Sequence, residues 1–183
     1  MSHALVLGGA RSGKTGFAEQ LVLQRAERPA YLATAQTLDN EMRERVRAHK
    51  ASRSVNFATI EEPLALADAL RRASASHDVV LVDCLTLWIT NLLGAGINVA
   101  TAVEHLVDAL QAIDQCQIVL VSNEVGLGIV PDNALARTFR DLAGAAHQRL
   151  AGVCDDVYFV VAGLPMTLKG RQPDALPLRP RGA

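Results

Sequence analysis

Aromatic side chains are scarce. Phe, Trp and Tyr make up 4% of the 183 residues, so Ala, Leu and Val must build most of the core. An excess of one charge is also missing, with 18 basic residues against 19 acidic ones. That balance argues against nucleic acid or an anionic membrane held by bulk charge, and leaves room for a local basic patch around a phosphate. The three cysteines, Cys84, Cys116 and Cys154, are odd in number and lack C-x-x-C spacing. Neither a disulfide framework nor a zinc site follows, and a reducing cytoplasm is the expected compartment. No apolar run reaches the roughly 18 residues of a membrane span. The most apolar stretch, 79–93, is broken by Asp83, Thr86, Thr90 and Asn91. A glycine-rich loop beginning at Gly8 leaves no space for a signal peptide.

What is present is an ordinary globular composition, half apolar and a fifth charged. A chain of this length buries roughly 70% of its unfolded surface and needs no cross-links to fold. Short apolar runs at 4–7, 30–33, 56–60, 79–82, 118–121 and 157–161 alternate with helical patterns at 14–27, 39–52, 64–73, 85–93, 101–113 and 133–150. Continuous apolar strands between helices predict an α/β fold, a mostly parallel sheet with helices on both faces. Residues 1–169 read as one domain. Residues 170–183, which hold Pro173, Pro177 and Pro180, read as an irregular tail.

The strongest motif is Gly8-Gly9-Ala10-Arg11-Ser12-Gly13-Lys14-Thr15, a full G-x-x-x-x-G-K-[ST] between a strand and a helix. Gly8 and Gly13 let the backbone curl so that successive N–H groups face phosphate oxygens, and the helix adds the positive end of its dipole. Lys14 should reach the β- and γ-phosphates and Thr15 should sit on Mg²⁺. Lys14 is expected on an exposed turn, contributing little to the core. Asp83, closing the run Val79–Val82, supplies the acidic partner of such a loop; its plainer reading is a helix N-cap. Together these motifs indicate a Mg-nucleoside triphosphate site without naming the reaction.

Met42, Val46 and His49 fall at i, i+4 and i+7, beside Arg45, Lys50 and Arg53. Cations around a neutral imidazole disfavour its protonation, and the group can then attack phosphorus while they neutralise the phosphate. From spacing alone, a half-buried histidine ending an amphipathic helix is the plainer reading. His3, His77, His105 and His147 show no comparable surroundings in the sequence. Glu61 and Glu62 could accept hydrogen bonds from a ribose or base, or could simply open the helix behind Pro63. The segment 123–131, with Gly126 and Gly128, sits where ligand sites form in parallel sheets, or is only a flexible loop.

Taken together, the segments 8–15, Tyr31–Ala35, Glu41–Arg45 with His49, Lys50 and Arg53, Asp83–Thr86 with Asn91, Asn123–Pro131 and Ala136–Asp141 are similar to a known family. The chain resembles the bifunctional adenosylcobinamide kinase / adenosylcobinamide-phosphate guanylyltransferases of cobalamin biosynthesis from about Leu5 to Lys169. The resemblance implies a P-loop NTPase fold of the RecA-like type and two reactions. ATP or GTP phosphorylates adenosylcobinamide. GTP then places GMP on a histidine, and the GMP passes to adenosylcobinamide phosphate to give adenosylcobinamide-GDP. The guanylylated histidine falls on His49, with Lys14 as the second catalytic residue. Nucleotide contacts fall on Gly8 to Thr15, on Ala33, Thr34 and Ala35, on Lys50, Ala51, Ser52 and Arg53, and on Glu61 and Asp83. Mg²⁺ is implied at Thr15 and Asp83, and a homotrimer is implied as the assembly. A P-loop kinase without guanylyl transfer and a non-catalytic nucleotide switch are the competing readings; the helix with His49 separates the first reading from both.

Overall fold

The computed structural model describes residues 2–24, 26–36 and 57–173. His49, Lys50, Ala51, Ser52 and Arg53, with the helix expected over 39–52, lie outside the described residues. Seven strands form one sheet in the order β3-β2-β4-β5-β1-β6-β7. They are β1 (Ala4–Gly8), β2 (Pro29–Ala33), β3 (Ala58–Glu61), β4 (Val79–Asp83), β5 (Gln117–Asn123), β6 (Asp156–Val161) and β7 (Leu164–Lys169). Every pairing is parallel except β6 with β7, which is antiparallel. The described helices are α1 (Lys14–Leu23), α2 (Leu66–Ser74), α3 (Leu85–Gly94), α4 (Val99–Ala112) and α5 (Ala134–Val153).

The two faces of the sheet carry separate cores because side chains alternate along each strand. Ala4 and Val6, with Tyr31, Leu81, Val119 and Val121, pack against Phe17, Ala18, Leu21 and Val22 of α1. Leu5 and Leu7, with Leu32, Val80, Val82, Ile118 and Leu120, pack against α2, α3, α4 and α5 through Leu70, Trp88, Leu106 and Leu150 among others. A strand buried on both faces cannot show polar alternation, which is why β1, β4 and β5 read as unbroken apolar runs. Trp88 fills the second core and donates its indole N–H to Leu64 O at 2.8 Å.

One feature departs from the sequence reading. The strand series does not end at Val161: Ala162 and Gly163, both at positive φ, turn the chain back into β7. Just beyond β7, Arg171 O accepts from Tyr158 Oη at 3.0 Å and Arg171 N–H donates to Asp156 Oδ1 at 2.9 Å.

Candidate active site

Strand register brings the site residues to one edge. Gly8 aligns with Asn123 of β5 and Val160 of β6, while Ala33 aligns with both Asp83 of β4 and Glu61 of β3. The carboxyl ends of parallel strands therefore collect the glycine loop, the Ala33–Ala35 turn, both strand-ending acids and the 123–131 segment along one edge, the side on which the ligand crevice of open α/β sheets lies.

The loop leaves β1 at Gly8, where a Cβ would meet Val160 O and Ser12 Oγ, both at 2.6 Å. Arg11 at φ 56° and Gly13 at φ 94° are both left-handed, which produces the curl that an anion-binding nest requires. Gly13 caps α1 without any side-chain hydrogen bond, and the first turn holds no acidic residue. The positive end of this helix thus remains available to an anion. Within the loop the Ser12 hydroxyl is buried and has no hydrogen-bond partner. Such a group is costly in a closed core and is expected where a bound oxygen would complete it.

Lys14 is not on an exposed turn, contrary to the sequence expectation: it is 8% exposed, and its Nζ donates to Gly9 O at 3.1 Å. The first residue of α1 points inward because the loop wraps over it. Burial lowers its pKa, an effect opposed by the nearby negative charge of Asp83. A desolvated ammonium interacts with phosphate oxygens more strongly than a hydrated one.

Asp83 accepts from Tyr31 Oη at 2.6 Å, which fixes the carboxylate at the end of β4. It does not cap α3 through its side chain; Cys84 holds the N-cap position, with no side-chain cap bond. The N-cap reading of Asp83 is set aside. Cys84 is sealed in, its thiol pushed up to about 11 by burial and then by the Asp83 charge, so it is neither a nucleophile nor a metal ligand. Thr34 is fully buried and stitches β2 to β4: its Oγ1 donates to Cys84 O at 2.8 Å and accepts from Cys84 N at 3.0 Å. Asn91 of α3 donates to Thr34 O at 2.7 Å and Pro63 O at 3.1 Å, setting the position of the 33–35 turn. Glu62 caps the chain ahead of α2, accepting from Leu64 N and Ala65 N, whereas Glu61 ends β3 at the crevice.

His147 is where the sequence reading missed most. Lying on α5, it is 6% exposed; its Nε2 lies 2.8 Å from Ser122 Oγ and its Nδ1 3.7 Å from Glu124 Oε2. Burial lowers its pKa against the opposing influence of Glu124. The one signal in the sequence was the apolar face of α5 on which His147 continues beside Ala143, Ala146 and Leu150, and that face gives no hint of Glu124 across the crevice. Beyond Glu124 the loop exposes Leu127 and Ile129, which are 81% and 97% accessible.

Among solved structures, the fold is shared with a type III secretion system ATPase from pathogenic bacteria, at TM-score 0.53 and 11% identity, covering 91% of this chain and 56% of that one. It is shared also with the Pyrococcus horikoshii OT3 protein PH0250, at TM-score 0.50 and 12% identity, covering 93% of this chain and 87% of that one. These likenesses concern the fold alone and say nothing about substrate. The sequence itself is 46% identical over 172 residues to the bifunctional adenosylcobalamin biosynthesis protein CobP of Pseudomonas aeruginosa, covering 91% of this chain and 96% of that protein. It is 42% identical over 179 residues to the bifunctional adenosylcobalamin biosynthesis protein CobU of Salmonella typhimurium, covering 90% and 98%. A family model described as cobinamide kinase / cobinamide phosphate guanyltransferase matches residues 4–168. With the phosphate loop, the acid of β4 and the 123–131 segment gathered on one edge of a P-loop sheet, the chain belongs to the cobinamide kinase / cobinamide phosphate guanyltransferase family.

Proposed function

We propose that the crevice carries out both reactions of the family: phosphoryl transfer from ATP or GTP to the free hydroxyl of adenosylcobinamide, then GMP transfer from GTP through His49 to adenosylcobinamide phosphate. The observation that carries this reading is the loop of residues 8–15, with a left-handed Gly13, an uncapped helix end and a buried Lys14. Those donors stabilise charge that builds on the phosphoryl oxygens during transfer, where a preorganised, water-poor site is most effective. Ala33, Thr34, Ala35 and Glu61 line the same edge, on the side of β2 and β3, and suit the nucleoside. Lys50, Ala51, Ser52 and Arg53 are assigned to the nucleotide by resemblance, like His49.

Mg²⁺ fits the residues present. Thr15, next to Lys14 at the start of α1, and Asp83, whose charge acts on Lys14, offer the hard oxygen donors that Mg²⁺ takes. When bound there, the ion would neutralise charge on the β- and γ-phosphate oxygens. The partners are then the nucleotide and the corrinoid, with no nucleic acid. No described helix is long and apolar enough to cross a membrane, and the cytoplasm is the proposed compartment.

A homotrimer is the proposed assembly. Leu164, Met166 and Leu168 project from β7 with 55%, 56% and 59% of their surface accessible, an apolar stripe that suits burial against another subunit. Sedimentation showing a fully active monomer at micromolar concentration would sink the trimer.

Labelling tests the chemistry. GTP labelled at the α-phosphate should leave label on the protein and γ-labelled GTP should not. The bond should be lost in acid and survive base, as a phosphoramidate does, and His49→Ala should abolish it while sparing phosphorylation of the corrinoid. Wild-type protein that never takes up α-label with GTP and Mg²⁺ leaves the kinase without guanylyl transfer.

A further inference from the structure

Three acids stand at the carboxyl ends of parallel strands: Glu61 ending β3, Asp83 ending β4, and Glu124 directly after β5. Their surroundings give them different tasks. Asp83 is bound by the Tyr31 hydroxyl and lies close enough to Lys14 to raise its pKa. Glu61 sits at the edge of the sheet, three strands away from β5. Glu124 stands between these acids and the phosphate loop, because β5 lies between β4 and β1, and its backbone N–H donates to Gly8 O at 3.0 Å. It is thereby tied to the first residue of the loop that holds the phosphates.

The Glu124 side chain is one-fifth exposed and held from two sides. The Gly126 N–H donates to Oε1, and His147 faces Oε2 from α5. An ionised carboxylate only accepts, so the neutral imidazole turns an Nδ1–H toward Glu124 and leaves Nε2 to accept from Ser122 Oγ at 2.8 Å. Ser122 is itself fully buried on β5. Gly126 and His147 thus hold the carboxylate from two sides at the carboxyl end of β5, next to the loop that begins at Gly8. We propose that Glu124 is the general base of the kinase step and that His147 is the residue positioning it.

This rests on the kinase reaction proposed above. The hydroxyl of the acceptor alcohol loses its proton to a Glu124 oxygen, and its own oxygen forms a bond to the γ-phosphorus. The bond from γ-phosphorus to the bridging β–γ oxygen breaks, its electron pair leaving with the nucleoside diphosphate, and Glu124 passes the proton on to solvent. A positioned carboxylate in such a role contributes roughly 10²–10⁴ in rate.

The experiment compares full-length wild type with Glu124→Gln, His147→Leu and His147→Asn, using adenosylcobinamide and γ-labelled ATP with Mg²⁺, and records kcat, nucleotide KM and thermal midpoint for each. Glu124→Gln keeps size and the Gly126 contact but cannot take a proton; kcat should fall by roughly 10²–10⁴ while nucleotide KM changes by less than about threefold. His147→Leu should lower kcat by about tenfold or more at unchanged KM, and His147→Asn, which keeps a donor near the Nδ1 position, should recover most of it. Glu124→Gln retaining more than about a tenth of wild-type kcat overturns the base. Leu and Asn variants that both melt early yet turn over normally below their midpoints make His147 a mere staple of α5 and overturn its positioning role. Wild type that forms no phosphorylated product at all sinks the kinase reading itself, a result distinct from an active wild type with an active Glu124→Gln.

Discussion

The Gly163 N–H donates to the Ser12 carbonyl at 2.7 Å, latching the turn between β6 and β7 onto the phosphate loop. Gly163 is also what a Cβ on Gly13 would strike, its Cα lying 3.0 Å from that position. The two segments are 150 residues apart in sequence, yet each limits the shape of the other. Because β1 and β6 pair in parallel with Gly8 opposite Val160, the chain leaving β6 emerges beside the chain leaving β1. The turn into β7 therefore forms one wall of the loop.

Gly13→Ala is expected to be harmful on two counts. A left-handed backbone costs a non-glycine residue about 1–2 kcal/mol, and the added methyl presses on Gly163 backbone. A loss of that size lowers the thermal midpoint by roughly 2–8 °C for a chain of this length. Calorimetry checks it, alongside a fall in nucleotide affinity by equilibrium titration.

Lys14→Ala separates activity from stability. It removes the buried cation proposed to act on the phosphates, so kcat for phosphoryl transfer should fall by about 10²–10³. The thermal midpoint should stay level or rise, because an ammonium desolvated by the fold is a functional expense rather than a structural gain. Steady-state kinetics near wild type would refute the assignment; a midpoint that drops sharply would refute the second half.

Lys169→Ala tests how α5 ends. The Lys169 ammonium donates to Ala151 O, Gly152 O and Cys154 O at 2.9, 3.3 and 2.6 Å, taking up carbonyls that the last turn of a helix leaves unpaired. Its loss should cost about 1–2 kcal/mol, read from the denaturant midpoint. Lys169→Met, which keeps the stem and removes the charge, should behave like the Ala variant.

His147 predicts a pH dependence of folding. Burial lowers its pKa in the folded state, so the unfolded chain binds more protons near and below pH 6.5. Its contribution is fully present above pH 6.5, declines as the pH falls toward the lower folded value, and is gone below it. Comparing denaturation of wild type and His147→Asn between pH 7.5 and 5 should show the wild type losing more stability on acidification, with Glu124 carrying the opposing charge.

The phosphate loop, the apolar strands and the acid ending β4 were all legible in the sequence, because each depends on neighbours close along the chain. Backbone curl at Gly8 and Gly13, strand formation at 79–82 and helix initiation at Lys14 are local events, and local pattern records them. β7 was not legible: it is an edge strand whose outward residues Leu164, Met166 and Leu168 are apolar, so the expected alternation of buried apolar with exposed polar positions is absent. The inward aim of Lys14 escaped for a related reason, since it depends on the loop closing over it.

The sequence by itself determined the fold class, the glycine loop between β1 and α1, and the family, since these rest on short motifs and on unbroken apolar runs. Only the tertiary structure decided that His147, 23 residues beyond Glu124, faces it across α5 and β5, and that Ser122 completes the set. It also decided that Thr34, buried between β2 and Cys84, fixes the 33–35 turn. Those contacts arise from sheet order and from the packing of α5 on β5, and neither quantity is written in any one stretch of chain.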